Sequence, residues 1–185
     1  MYEVELKFPL PDADAVLGRL AACGARLGQP VDQRDWYFNH PVRDFGRTDE
    51  AFRIRSVDRS HAVTYKGPLV DSRTKTRREI EIPFAESDAR EKFAQILQLL
   101  GFRPVREVHK QRRTSRLQWH ERGFEIALDA VEGLGQFLEI ETIADEDGRP
   151  AAQAAVQSLA AHLQLSTPER ASYLSLLLEK DGQNS

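Results

Sequence analysis

Glu3-Val4-Glu5-Leu6-Lys7 and Glu139-Ile140-Glu141 place charged residues at i and i+2 with apolar residues between them. On a pleated strand i and i+2 point to one face, so each stretch reads as a strand with one charged and one apolar face. The pattern recurs with both signs of charge. Arg53 and Arg55 lie opposite Phe52 and Ile54, and Lys66 follows Thr64. Arg77, Glu79 and Glu81 lie opposite Ile80 and Ile82. Arg106, Lys110 and Arg112 share a face that Val108 interrupts, and Asp129 has the parity of Ala127 and Glu125. For one strand alone this is the solvated face of a half-buried sheet. For the set a second arrangement is open. An exposed face mixes in Thr, Ser and Gln, whereas these positions are strongly cationic or strongly acidic, and like charges side by side do not help one another. If the sheet curves into a barrel the charged faces converge inside it. About eight strands leave room there for side chains or one small ligand.

The remaining elements fit such a sheet. Strands are expected at 2–9, 33–39, Ala51–Val57, 62–66, 76–83, 105–117, 124–129 and 136–142, mostly antiparallel because short turns join many of them. Residues 40–50 and 69–75 read as polar loops, and Glu121-Arg122-Gly123 as a turn. One helix opens at Pro11-Asp12-Ala13-Asp14 and runs to Gly28, with a stripe of Val16, Leu17, Leu20, Ala21 and Leu27. A second is capped by Ser87 and runs to about Leu100, with a stripe of Phe93, Ile96, Leu97 and Leu100. A third covers about 150–164, and a short fourth starts near Pro168. The fold class is α+β, with no internal repeat and no low-complexity segment.

The chain has 185 residues, enough for one sizeable domain. With 26 Lys and Arg against 29 Asp and Glu, it lacks the basic excess of a general nucleic-acid binder. Its single cysteine, Cys23, cannot form an internal disulfide, which suits a reducing cytoplasm. No apolar run reaches membrane-spanning length, so no membrane partner is expected.

A charged interior needs counter-charges. Desolvated Arg and Lys require anions, and a polyphosphate supplies several negative charges and many acceptor oxygens. Arg53, Arg55, Lys66, Arg77, Lys110 and Arg112 suit its recognition, with arginine able to bind bidentately. Glu3, Glu5, Asp129, Glu139 and Glu141 would repel it unless a hard divalent cation intervenes. Mg²⁺ takes carboxylate and phosphate oxygens in this way, and Mn²⁺ is a possible substitute.

The same residues carry a family resemblance. Glu3-x-Glu5-x-Lys7 resembles the opening signature of the CYTH superfamily, the triphosphate tunnel metalloenzymes, and Tyr2–Phe8 is similar to its class IV adenylyl cyclase branch. Asp35-Trp36-Tyr37-Phe38, Phe52-Arg53-Ile54-Arg55, Thr64-Tyr65-Lys66-Gly67-Pro68, Arg77-Arg78-Glu79-Ile80-Glu81, Lys110-Gln111-Arg112 and the segment from Leu128-Asp129 to Glu139-Ile140-Glu141 resemble its further motifs in order. The chain reads as one domain over 1–180, followed by a frayed, disordered tail at 181–185. The resemblance implies a closed antiparallel eight-stranded barrel with peripheral helices, holding a triphosphate and a divalent metal.

On this resemblance Glu5, Glu139 and Glu141 are the leading metal ligands. Glu3 and Asp129 bind a second ion or orient the first; for Glu3 an ion pair with Lys7 or a neighbouring arginine is the alternative. Lys7 faces phosphate, and Arg53, Arg55, Lys110 and Arg112 form the clamp. Arg77 joins them or lies on an exposed face. Lys66 is expected to contact phosphate. In triphosphatase branches it and Tyr37 are linked to water activation, while Tyr37 also reads as a core aromatic with its hydroxyl at the tunnel wall. Asp129, Tyr37 and Lys66 are the candidate catalytic residues. His109 is expected to face outward or into the helical layer, and Cys23, Trp36 and Trp119 to be packing residues.

Three functions follow. A cyclase converts ATP to cyclic AMP and pyrophosphate. A triphosphatase hydrolyses thiamine triphosphate, a nucleoside triphosphate or inorganic tripolyphosphate. A non-catalytic protein binds polyphosphate or nucleotide. The cyclase branch carries His-Phe upstream of its acidic strand, where the aromatic helps hold adenine; this sequence begins at Met1 without it. A homodimer is possible.

Overall fold

A computed structural model describes residues 2–70, 74–84 and 88–183. In chain order the elements are β1 (Tyr2–Pro9), α1 (Asp14–Ala22), β2 (Val31–Asn39), α2 (Phe45–Thr48), β3 (Ala51–Val57), β4 (Ser60–Lys66), β5 (Lys75–Phe84), α3 (Ala89–Leu99), β6 (Arg103–Trp119), β7 (Arg122–Val131), β8 (Gly135–Ala144), α4 (Arg149–His162) and α5 (Tyr173–Gln183). The strands form one closed barrel in the order β1-β5-β4-β3-β2-β6-β7-β8, and every pairing is antiparallel.

The alternation decides which face goes where. Val4 and Leu6 point outward under α4 and α1, joined by Phe124, Ile126, Leu138 and Ile140 from β7 and β8 and by Val156 and Leu159 of α4. Most of these side chains are fully buried. Each contributes about 1.5–3 kcal/mol relative to exposure. Phe38 and Ile54 form a smaller cluster beneath Ala94 and Leu97 of α3. A third cluster packs at one end of the barrel: Tyr37, Val108, Val131 and Phe137 meet Tyr173 and Leu177 of α5. Val108 interrupts its cationic strand because it belongs to this plug.

Several helix expectations are corrected. α1 stops at Ala22, well before Gly28. Gly24 takes a φ of 87°, and Ala25 N donates to Leu20 O at 3.0 Å, a Schellman-type end that turns the chain two residues after the helix. The N-cap position of α1 is Ala13, without a side-chain cap, although Asp12 Oδ1 accepts from Asp14 N at 3.2 Å. The 40–50 loop contains α2, capped by Asp44 Oδ1 accepting from Gly46 N at 3.1 Å. In α3 the buried positions are Ala94 and Leu97, while Ile96 and Leu100 are exposed, so the expected stripe is rotated. Ser87 lies outside the described residues. The last helix starts at Tyr173 rather than near Pro168. It continues through Asp181, which pairs with Arg106, so the expected tail is helical as far as Gln183.

Candidate active site

The inward faces of the strands line one tunnel of about 1000 Å³, mouths included. Among the described residues eight Lys and Arg and seven Glu line it. This near-balance means that neither an anion nor a cation alone satisfies the wall.

The end towards α5 is cationic. Asp129 is fully buried and holds two clamp residues in place. Arg112 donates to it at 2.7 and 2.5 Å and Lys110 at 2.9 Å, and the Tyr173 hydroxyl adds a bond at 3.0 Å. Arg112 also donates to Glu139. Asp35 plays the same part on β2. Arg55 grips it bidentately at 2.7 and 2.8 Å and Arg53 lies at 3.3 Å. Burial alone would raise the Asp35 carboxyl, but Arg53 and Arg55 outweigh it and hold it well below the usual range. Arg53 also donates to the Tyr37 hydroxyl at 3.3 Å.

Lys7 and Lys110 are less well compensated. Burial, aided by nearby Lys75, pushes Lys7 down to about 7, although it donates to Ala171 O and lies 4.1 Å over the Tyr173 ring. Burial, aided by Arg112, pushes Lys110 down to about 8. Both therefore gain from an arriving anion.

The other half of the tunnel is acidic. Glu5 and Glu125 each stand directly across from Glu141 in the strand ladder. Burial, then Glu3, Glu5 and Glu125, raise Glu141 to about 9. Neither Glu141 nor Glu125 has a hydrogen-bond or ion-pair partner among the described residues. Three carboxylates in one cross-strand row destabilise one another and form the hard-oxygen donor set that a divalent cation takes. Among the described residues no three of them already converge on one point at ligand distance. The fit lies in the chemistry of the row, since Glu5 and Glu139 each spend an oxygen on a cationic partner and Glu3 spends both.

Lys66 sits between the halves. It donates to both oxygens of Glu3 at 2.8 and 2.7 Å and pairs with Glu79 at 2.9 Å. Burial opposes its charge, yet Glu3 and Glu79 outweigh burial and hold its pKa above the ordinary lysine value. Glu79 is lowered to about 2 despite its burial, whereas burial raises Glu3.

The tunnel thus gathers Glu3, Glu5, Lys7, Tyr37, Arg53, Arg55, Lys66, Arg77, Lys110, Arg112, Glu139 and Glu141 from the sequence reading. Glu3 pairs with Lys66 rather than with Lys7 or an arginine. Arg77 lies on the tunnel wall and donates to Asp49 O at 3.0 Å. Asp129 stands behind the clamp with its oxygens taken, an orienting position. Arg106 is drawn away to α5. His109 faces outward, as expected, bonded to Asp32 and Glu132 at 2.6 and 2.8 Å. Cys23 is partly buried beside the main cluster, and Trp36 and Trp119 pack against clusters.

Sequence reasoning missed Lys75, Glu79, Glu81, Glu125, Asp35 and Tyr173. Lys75 has the parity of Arg77 and pairs with Glu5 at 3.2 Å, so extending the strand by one residue would have found it. Glu79, Glu81 and Glu125 were visible by parity. Tyr173 comes from a helix and carried no such signal.

A barrel with this interior defines a triphosphate-tunnel class of protein. The CYTH domain model matches residues 1–173, and the chain belongs to that family, whose members are metal-dependent enzymes acting on triphosphates. It is 42% identical over 141 residues to a Methanocaldococcus jannaschii protein provisionally named adenylate cyclase, covering 76% of this chain and 77% of that one. It is 29% identical over 172 residues to adenylate cyclase CyaB of Aeromonas hydrophila, covering 91% and 83%. A solved Pyrococcus horikoshii structure superposes with a TM-score of 0.83 at 38% identity, covering 96% of this chain and 99% of that one. The fold alone is shared, at TM-score 0.64 and 17% identity, with a Hippeastrum protein described as having dominant triphosphatase activity, covering 97% and 95%. No helix among the described residues is long and apolar enough to cross a membrane.

Proposed function

We propose that this protein converts ATP to cyclic AMP and pyrophosphate with the help of a divalent metal. The observation that carries the reading is the two-sided tunnel, with a buried cationic clamp at one end and the Glu5–Glu141–Glu125 row at the other. The names of the two curated relatives favour cyclisation over hydrolysis.

Lys7, Arg53, Arg55, Lys110 and Arg112 bind the phosphate oxygens, and Asp35 and Asp129 fix the guanidinium planes so that little reorganisation is needed on binding. Glu5, Glu139 and Glu141 would hold Mg²⁺ or Mn²⁺, with Glu3 beside them; when bound, the ion neutralises phosphate charge and polarises the phosphoryl group. In cyclisation the ribose 3′-oxygen bonds to the α-phosphorus, the bond to the bridging oxygen breaks, and the hydroxyl proton passes to solvent water. The charge that develops on pyrophosphate falls against the clamp. Lys66 is held charged and serves as an electrostatic contact rather than as a base.

The presence of both Tyr37 and Lys66 on the tunnel wall favours a second reading, hydrolysis of the terminal phosphate. Product analysis of ATP, tripolyphosphate and thiamine triphosphate with each metal decides between them. Cyclic AMP and pyrophosphate from ATP support the first reading, and orthophosphate as the sole product overturns it. Tight binding without turnover overturns both.

A further inference from the structure

Lys75 stands at the end of the acidic row. It opens β5 directly across from Glu5, Glu5 stands across from Glu141, and Glu141 across from Glu125. The four residues make one line across β5, β1, β8 and β7, an ammonium followed by three carboxyl groups. The ammonium is buried and lies 3.2 Å from Glu5 Oε1.

The position is held by the layer behind it. Thr74 and Thr76, on either side of Lys75, are buried, and their hydroxyls share a 2.6 Å hydrogen bond. Gln153 of α4 donates to the Thr76 hydroxyl at 3.2 Å. These contacts fix the start of β5 against α4 and leave Lys75, of opposite parity, on the tunnel wall. The side chain is held far less firmly than the backbone. Glu5 is its one hydrogen-bond and ion-pair partner among the described residues, and the ammonium rides on a flexible stem.

A divalent ion entering the row seeks the same Glu5 carboxylate. A dication and an ammonium on one carboxylate repel each other, so the ion gains by displacing the lysine. The displaced ammonium has anions to meet close by. Its charge already reaches Lys7, which it helps to lower, so the phosphate oxygens that Lys7 would hold lie within the same field.

We infer that Lys75 is a resident counter-ion of the acidic row, displaced from Glu5 by the divalent metal and thereby released to contact the triphosphate. The inference rests on the metal–triphosphate reading and adds to it a residue that couples the two ligands. Without metal, Glu5 withholds Lys75 from the phosphates; with metal bound, Lys75 is presented to them. By linkage the triphosphate strengthens metal binding by the same factor.

The test is calorimetric titration of wild type and Lys75→Met, with Mg²⁺ alone, and with inorganic tripolyphosphate both in chelator and at saturating Mg²⁺. Methionine keeps an unbranched stem without the charge. Lys75→Met should bind Mg²⁺ alone about fivefold or more tighter, because no cation has to leave Glu5. Its tripolyphosphate affinity should stay within about threefold of wild type in chelator and fall by about tenfold or more in Mg²⁺, the scale of one charge-assisted hydrogen bond. Mg²⁺ affinity that is unchanged or weaker overturns the displacement. Equal losses of tripolyphosphate affinity with and without metal make Lys75 a permanent clamp residue and also overturn it, and no loss in either condition removes Lys75 from the phosphates. Wild type that binds tripolyphosphate in neither condition overturns the tunnel reading instead. Lys75→Gln repeats the series if Lys75→Met does not fold.

Discussion

Asp129 holds Arg112 by a two-pronged grip, Nε to Oδ1 at 2.7 Å and Nη2 to Oδ2 at 2.5 Å, from strands that stand directly across from each other. Lys110 shares the same carboxylate, so one anion serves two buried cations. Asp129→Asn leaves that pair, buried in the tunnel wall, short of a counter-charge. Urea unfolding should show a loss of about 3 kcal/mol, the cost of breaking a buried pair. Tripolyphosphate should restore part of it, since an anion in the tunnel replaces the missing charge. A loss below about 1 kcal/mol would contradict the arrangement.

Lys66 is held charged by Glu3 and Glu79, which separates an electrostatic role from that of a base. Lys66→Arg keeps the charge but makes a poor base, and should retain kcat/KM within about tenfold. Lys66→Met removes the charge, and should lose about 10²–10³, the range for deleting one stabilising donor. Equal losses in the two variants would point to proton transfer instead.

The barrel and most of its wall were legible in the sequence because period-two charge alternation marks β1, β3, β5 and β8, and a one-residue slip would have put Glu5 and Arg53 under the helices. The helices were less legible. Ile96 and Leu100 have helical spacing with Phe93, yet α3 turns Ala94 and Leu97 inward because the sheet beneath it presents Phe38 and Ile54. Tyr173 was invisible as a site residue. It reaches the clamp only because α5 caps the barrel, a long-range contact that no local pattern encodes. The roles of Asp35 and Asp129 as buried partners were likewise hidden, since parity gives a face and not a hydrogen bond.

His109 on β6 ties Asp32 of β2 to Glu132 just beyond β7 on the outer surface, and its bonds to Asp32 and Glu132 raise its pKa. A histidine raised on folding stabilises fully below its unfolded pKa, about 6.5, and that contribution fades as pH rises through the raised folded value. His109→Gln should therefore narrow its stability gap to wild type between mildly acidic and alkaline pH. A constant gap in denaturation curves across that range would show that the imidazolium charge contributes nothing.

Glu141 provides the sharpest coupling of metal to pH. Its carboxyl is pushed up to about 9, so from about 4.3 upward the unfolded chain has lost this proton while the folded chain keeps it. The folded state then binds more protons, and metal-free stability from this group falls as pH rises through that window. A divalent ion removes the penalty by replacing the proton. Thermal melts should show Mg²⁺ raising the wild-type Tm more at pH 8 than at pH 6. Glu141→Gln should melt higher than wild type in chelator, because the Glu5–Glu141–Glu125 repulsion is relieved, and should gain less from Mg²⁺. A variant that gains as much from Mg²⁺ as wild type does would remove Glu141 from the metal's donor set.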